Sequence, residues 1–539
     1  MAEAGSRETR TGARGGAYLI GVDLGTQGTK TALYTVDGVL CAEAFLDSSL
    51  VTPTPGQAEE DADTRYAAAL RTIREVVERS GVAPQDVQAI GLDGQMAGIM
   101  GIDEAYNAVT PYDSWLDTRC EKYMDRLRGG GGSGGSGSES SESSGSGSGE
   151  RAFIRLTGCP VTYAHGPKVL WWKHERPEAY ARIAKFVTMS AYIAGKLTGL
   201  AARDAYIDYT QLHFAGFGDI LALKWSDAAL SEYGVDASKL PRIVPPWEVV
   251  GRLKADQAGL CGLAEGIPVV AGCGDQPATS LGAGVHEVGD AFDVSGTASL
   301  FACCTDEYLP DVRRKTLIFS RALVPGRWLP LAYINGGGLS MRWFKELCCE
   351  GGGAADYAAL EREAEVLGPG SGDLMFVPHF QGRVCPNDPN VRGSFAGLNW
   401  VHRRGHMFRA VMESIGYEYS LYADILRGLN QKLPIDRVVV IGGGAKSRVF
   451  GKIKADILGL PYYPPARQDA PTLGCVLNAG YGVGIYRDIA DAARRRIRFS
   501  DPILPDPEAT RAYEKYRRLY PELLSSLGGL YRQLLTKAN

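Results

Sequence analysis

Residues 18–30 read YLIGVDLGTQGTK. The first five, Tyr18 to Val22, are apolar in the manner of a buried strand; then comes an acid, Asp23, followed by small and hydroxyl-bearing residues. A carboxylate at the edge of a core is costly unless a cation or hydrogen-bond donors meet it. Gly25 and Gly28 leave backbone N–H groups open to close approach by a ligand. The stretch therefore predicts a strand ending in a hairpin that holds a metal-bridged phosphate.

Outward from this hairpin, the pattern alternates strands with helices. TKTALYTV and GVLCAEAFL, separated by a turn at Asp37-Gly38, complete a meander. Residues 63–81 have helical periodicity closed by Gly81, and VQAIGLDGQ (87–95) is a buried strand with a glycine-rich end. Residues 177–199 read as one helix, and 268–284, PVVAGCGDQPATSLGAG, as strand, Gly/Asp turn and helix. The second half repeats the theme: DAFDVSGTASLFACC is strand, small-hydroxyl turn and strand, and residues 436–461 are strand, glycine turn and helix. Such alternation in both halves predicts an α/β protein of two related domains, with ligands at strand ends in the cleft between them.

The composition of the 539 residues, 45% hydrophobic and 22% charged, is that of a globular protein with room for more than one core. A net charge of -4 gives no draw toward nucleic acid or an anionic membrane, and no apolar run is long enough to span a bilayer. Eleven scattered cysteines without CxxC spacing read as reduced thiols of a cytoplasmic protein, and the seven histidines form no metal-binding cluster. Residues 1–16 read as a disordered tail. Residues 129–149 contain only Gly, Ser and Glu, too little apolar surface to offset ordering entropy, and read as a disordered insertion or linker.

Four glycine-containing strand ends require one explanation: Asp23-Leu-Gly-Thr, Gly274-Asp275, Ser295-Gly-Thr297 and Gly442-Gly443-Gly444. The Walker A and Rossmann phosphate patterns are both missing. Across roughly residues 17–491 the chain resembles the FGGY carbohydrate kinase family of the actin/Hsp70/sugar-kinase superfamily. GVDLGTQGTK is similar to its first phosphate motif, DVSGTASL to its second, and GGGAKSRVFGKIKADILGLP to its adenosine motif. GLDGQM, WLDTR, GPKVLWW and GCGDQ are most similar to xylulokinase-like members.

The resemblance implies two RNase H-like domains with an interdomain ATP cleft: a sugar-binding domain over 17–285, with the 129–149 segment as a loop insertion, a nucleotide-binding domain over 286–500, and a helical tail over 501–539. It implies an ATP- and Mg²⁺-dependent kinase acting on a terminal hydroxyl of a small sugar, with D-xylulose or a related ketopentose as the first candidate. Another sugar, polyol or sugar acid, or an inactive relative with a binding role, remain alternatives. Asp275 matches the catalytic base and also a substrate contact; as the first residue of a helix it would equally suit a cap. Asp23 matches the residue that holds Mg²⁺ through water. Gly25, Thr26, Gln27, Lys30, Gly296, Thr297, Gly338, Gly443, Gly444 and Ser447 match nucleotide positions, and Gln95, Met96 and Asp117 the sugar pocket. Ala97 stands where the xylulokinase-like pattern carries His, and a methyl group cannot donate a hydrogen bond to a sugar hydroxyl. Family members often form homodimers, which the resemblance extends to this chain.

Overall fold

The computed structural model describes residues 16–129, 146–349 and 354–535. The opening stretch forms β1 (Tyr18–Leu24), which turns into β2 (Gly28–Thr35) and β3 (Leu40–Asp47). Helix α1 (Ala62–Ser80) is capped by Asp61, whose carboxylate accepts from the Thr64 N–H, and ends at Gly81 with φ of 66°. It leads into β4 (Val87–Gly94), parallel to β1. Two later strands, β5 (Val249–Arg252) and β6 (Pro268–Val270), complete a sheet of order β5-β6-β4-β1-β2-β3.

The second half builds β7 (Asp290–Ser295), β8 (Ser299–Cys303), β9 (Ile318–Arg321), β10 (Trp328–Ile334), β11 (Arg437–Ile441) and β12 (Tyr462–Tyr463). Their order is β9-β10-β8-β7-β11-β12. The plan is the same as in the first sheet. A leading strand (β1, β7) lies antiparallel to its hairpin partner (β2, β8) and parallel to a strand reached after a long excursion (β4, β11). These are the two related α/β, RNase H-like domains expected from the sequence.

Eight more helices matter for the site: α2 (Ser146–Thr157), α3 (Met189–Thr198), α4 (Asp275–Ala283), α5 (Gly337–Cys348), α6 (Arg404–Leu429), α7 (Arg448–Leu458), α8 (Ala470–Gly482) and α9 (Pro507–Leu535). One face of the first sheet packs Ile20, Leu33 and Ile90 against α1 and α3. The other packs Leu19 and Ala89 against Leu281 of α4 and Val476 of α8. Ala283 and Ala470, on the same two helices, meet Phe292 and Val439 of the second sheet. Helices α4 and α8 therefore lie between the sheets. They cross with backbones touching: a Cβ at Gly282 would stand 1.8 Å from the Ala470 carbonyl oxygen, and one at Gly474 2.0 Å from that of Ala278.

The structure refines the expected organisation. Residues 177–199 are not one helix: Lys185–Val187 is a strand paired with Met100–Ile102, and Thr188 caps the start of α3. Residues 1–15 of the expected tail and 130–145 of the Gly/Ser/Glu segment lie outside the described residues, but 146–149 form the first turn of α2. Helix α8, assigned by position to the second domain, packs on β1, β4 and α4 of the first. The 501–539 segment is likewise no appendage: Tyr513 and Tyr520 of α9 are fully buried in the second core, and their hydroxyls donate to Glu413 and Glu418 of α6 at 2.8 and 2.9 Å.

Candidate active site

Parallel pairing of β1 with β4 places Asp23 beside Asp93 in register, and Leu24 beside Gly94. The extended pair Cys273–Gly274 then runs along the end of β4, Cys273 opposite Asp93, and delivers Asp275 to the first turn of α4. Three carboxylates thus gather at the ends of neighbouring strands, where open α/β sheets bind ligands. Asp275 is half-buried and accepts from the Gln276 N–H at 2.8 Å. Burial, then the charge of Asp23, raises its pKa to about 7. Burial also raises Asp23. Asp93 is fully buried and is pushed well up by burial and by the charges of Asp23 and Asp275; the Cys475 thiol donates to it at 3.2 Å. Beneath the first hairpin, the buried Arg65 guanidinium donates to the Gly25 carbonyl at 2.7 Å and pairs with Glu60 at 3.2 Å.

The second hairpin, Ser295–Ser299, is gripped from below. Asp293 accepts from the Tyr419 and Ser295 hydroxyls at 2.9 and 2.8 Å and forms an ion pair with Lys454 of α7, which also donates to Ser295 Oγ at 2.6 Å. Asp293 and Lys454 are both fully buried. The other glycine segments close on the same hairpin. A Cβ at Gly338 would meet the Gly296 carbonyl oxygen at 2.0 Å, and one at Gly444 would meet Ser295 Cβ at 2.8 Å, whereas one at Gly443 would meet nothing within 4 Å. Open backbone at Gly443 beside an exposed Thr297 suits a nucleotide.

Among the described residues, no group of three or more His, Cys, Asp or Glu side chains could hold a metal ion. The half-buried Asp23 fits instead a divalent cation that keeps most of its water and phosphate ligands.

A cavity of about 260 Å³ joins the domains at Asp275. Thr26, Met96, Trp115, Phe214 and Gln276 line it from the first domain, and Val294, Leu300, Ile318, Leu331 and Tyr333 from the second. The Trp115 indole N–H donates to Thr26 Oγ1 at 3.0 Å.

Several expected ligand residues are otherwise engaged. Gln95 is buried with its amide donating to Glu60 at 2.7 Å, and Asp117 is buried with its carboxylate held by Arg119 and the Ala58 N–H; neither lines the cavity. Just past the end of β4, Met96 lines the cavity in place of Gln95. Lys30 pairs with Glu43 at 2.8 Å, Gln27 is exposed, and Ser447 Oγ caps α7 by accepting from the Phe450 N–H. Sequence reasoning missed Asp93, Arg65, Gln276 and Lys454. The signals for two were present: Asp93 ends a strand as Asp23 does, and Arg65 falls on the buried stripe of α1.

Residues 18–282 match the N-terminal domain, and residues 292–483 the C-terminal domain, of the FGGY family of carbohydrate kinases. The gluconokinase of Bacillus licheniformis is 25% identical over 529 residues, 96% of this chain and 98% of that protein. The xylulose kinase of Bacillus subtilis (strain 168) is 25% identical over 507 residues, 94% of this chain and 96% of that protein. The crystal structure of xylulose kinase from Rhodospirillum rubrum superposes with a TM-score of 0.85 at 26% identity, covering 96% of this chain and all of that one.

Proposed function

The chain belongs to the FGGY family of carbohydrate kinases, and on that premise we propose that it transfers the γ-phosphoryl group of ATP to a terminal hydroxyl of a small neutral sugar or polyol, with the ketopentoses, D-xylulose among them, as reference acceptors. The observation that carries this reading is Asp275: a carboxylate at a helix start, on the wall of an interdomain cavity, beside a strand end bearing Asp23.

Asp275 accepts the acceptor's hydroxyl proton as that oxygen attacks the γ-phosphorus, and a pKa near 7 suits it to hold that proton. Backbone N–H groups of the two hairpins are disposed to hold phosphate oxygens, with Thr26 and Thr297 beside them. A divalent cation, held through water by Asp23, would offset phosphate charge when bound. Both domains wall the cavity, so their closure excludes water and limits wasteful hydrolysis. Among the described residues, no Lys, Arg or His side chain lines the cavity, which supports a neutral acceptor over a sugar acid. We place the reaction in the cytoplasm, with a single small-molecule partner per site and homodimers as the assembly.

The test is ADP release with Mg²⁺-ATP across ketopentoses, other ketoses, aldoses, polyols and sugar acids. Stimulation by a neutral sugar is expected. Stimulation only by sugar acids, or by nothing while ATP still binds, would overturn the reading.

A further inference from the structure

Resting on the kinase reading above, we propose that Thr210, which does not line the cavity, is the positioning residue for Asp275: its hydroxyl fixes the backbone corner that carries the base, and the second domain holds Thr210 in turn. Helix α4 begins at Asp275 with Gly274 as its N-cap, and no side chain at Gly274 can brace that start. Nor is there room for one: a Cβ at Gly274 would stand 2.6 Å from Met96 Sδ. The hold on the corner therefore comes from elsewhere in the chain.

Thr210 supplies it from 64 residues away, its Oγ1 accepting from the Gly274 N–H at 2.9 Å. A threonine hydroxyl has one hydrogen to give, and this one goes to the Asp208 carboxylate. That bond fixes the direction of the hydroxyl and leaves its lone pairs for the Gly274 N–H. Asp208 is held as well: it accepts from the Thr210 N–H at 2.9 Å and from the Gln211 side-chain amide at 3.0 Å. Asp208, Thr210 and Gln211 are all buried, so water does not compete for these bonds.

The carbonyl of Thr210 belongs to the contact with the second domain. It accepts from the buried Ser320 hydroxyl of β9 at 3.2 Å, a hydrogen that Ser320 shares with the Arg321 carbonyl at 3.1 Å. Beside Ser320, the Arg321 guanidinium donates to the Ile220 carbonyl at 2.9 Å and lies 5.5 Å from the centre of the Tyr209 ring. Strand β9 thus grips the first domain on the segment that holds the base. The run Ser320, Thr210, Gly274, Asp275 gives the second domain a route to the base that does not pass through either substrate. A base acts only within hydrogen-bond reach of its proton, and a misplacement of about 1 Å costs about 100-fold in rate.

The experiment compares the full chain with Thr210→Val, which keeps the shape and loses the hydroxyl, and Thr210→Ser, which keeps the hydroxyl. kcat and KM are measured by ADP release with Mg²⁺-ATP and the sugar that best stimulates the parent, per ATP site counted by calorimetry, so that misfolded protein is not scored. Amide hydrogen exchange is followed over 272–278. Thr210→Val is expected to lower kcat by about 10- to 100-fold, to leave both KM values within about threefold, and to speed exchange at Gly274. Thr210→Ser is expected to restore the rate to within about threefold of the parent, together with slow exchange. Ser320→Ala, a milder change that removes only the second domain's bond, is expected to lower kcat about fivefold with faster exchange at Gly274; it decides the matter if Thr210→Val does not fold. Parental kcat or unchanged exchange in Thr210→Val, a loss confined to KM, or a loss that Thr210→Ser does not restore overturns this inference and leaves the kinase reading standing. If no sugar stimulates the parent, both fall.

Discussion

Asp23 and Asp293 each lie on the leading strand of a sheet built to the same plan, just ahead of a glycine-threonine hairpin, yet their surroundings are opposite. Asp293 is neutralised: Lys454 forms an ion pair with it, and two hydroxyls complete its shell. Asp23 stands among other acids, with Asp93 in register and Asp275 near enough to be perturbed by it. The charges of Arg65 and Lys30 draw the Asp23 pKa down only part of the way that burial raises it, and their own bonds go elsewhere, Arg65 to Glu60 and the Gly25 carbonyl, Lys30 to Glu43. Compensated charge makes the second hairpin a scaffold. Uncompensated charge in the first domain is destabilising until a cation, a proton or a substrate hydroxyl meets it, which is where chemistry is expected.

The comparison breaks most visibly at Asp275. Asp275→Asn is expected to lower acceptor-dependent turnover by about 10³-fold or more while leaving ATP affinity by calorimetry nearly unchanged; a variant that keeps substantial turnover removes Asp275 as the base. On the scaffold side, Lys454→Met strands a buried carboxylate and is expected to cost about 3–5 kcal/mol in denaturant unfolding. Adding Asp293→Val should recover part of that loss, because no unpaired charge is left buried, while the Tyr419 and Ser295 hydroxyls lose their acceptor. If the single variant is as stable as the parent, Lys454 is not what neutralises the second hairpin.

The first site also responds to pH. Asp275 ionises near pH 7 in the folded protein against an ordinary value of 3.8, so across that interval the unfolded chain has released its proton and the folded one has not. Its contribution to stability is therefore present at low pH and lost as pH rises toward 7. Asp275→Asn should accordingly leave the Tm nearly unchanged at pH 4 and raise it at pH 8, in metal-free buffer. A gain confined to low pH would reverse the sign and contradict the uncompensated cluster. The smallest effect belongs to Lys30→Met: its partner Glu43 is about half exposed, and the pair is worth less than about 1 kcal/mol by thermal unfolding.

The hairpins, the strand–helix alternation and Asp275 were legible because each is a local pattern: apolar run, acid, small residues. What escaped depends on register and on contacts between distant segments. Asp93 acquires meaning only once β4 is known to lie parallel to β1. Lys454 meets Asp293 across 161 residues, and nothing around Lys454 in the sequence announces a partner. Gln95 and Asp117 sit inside motifs pointing to the cavity, but their own side chains turn into the fold, where Glu60, Ala58 and Arg119 hold them. Helix α8 follows the second domain in chain order, and chain order does not show that its small residues seat it against the first sheet.

The most direct test of the central claim is stoichiometric. The protein is incubated with Mg²⁺-ATP and the sugar that best stimulates it, and ADP and phosphorylated sugar are quantified together by mass spectrometry. The account predicts equal amounts of the two, with both lost in Asp275→Asn. ADP with free phosphate and no sugar phosphate would instead make the cleft that of an ATPase and contradict it.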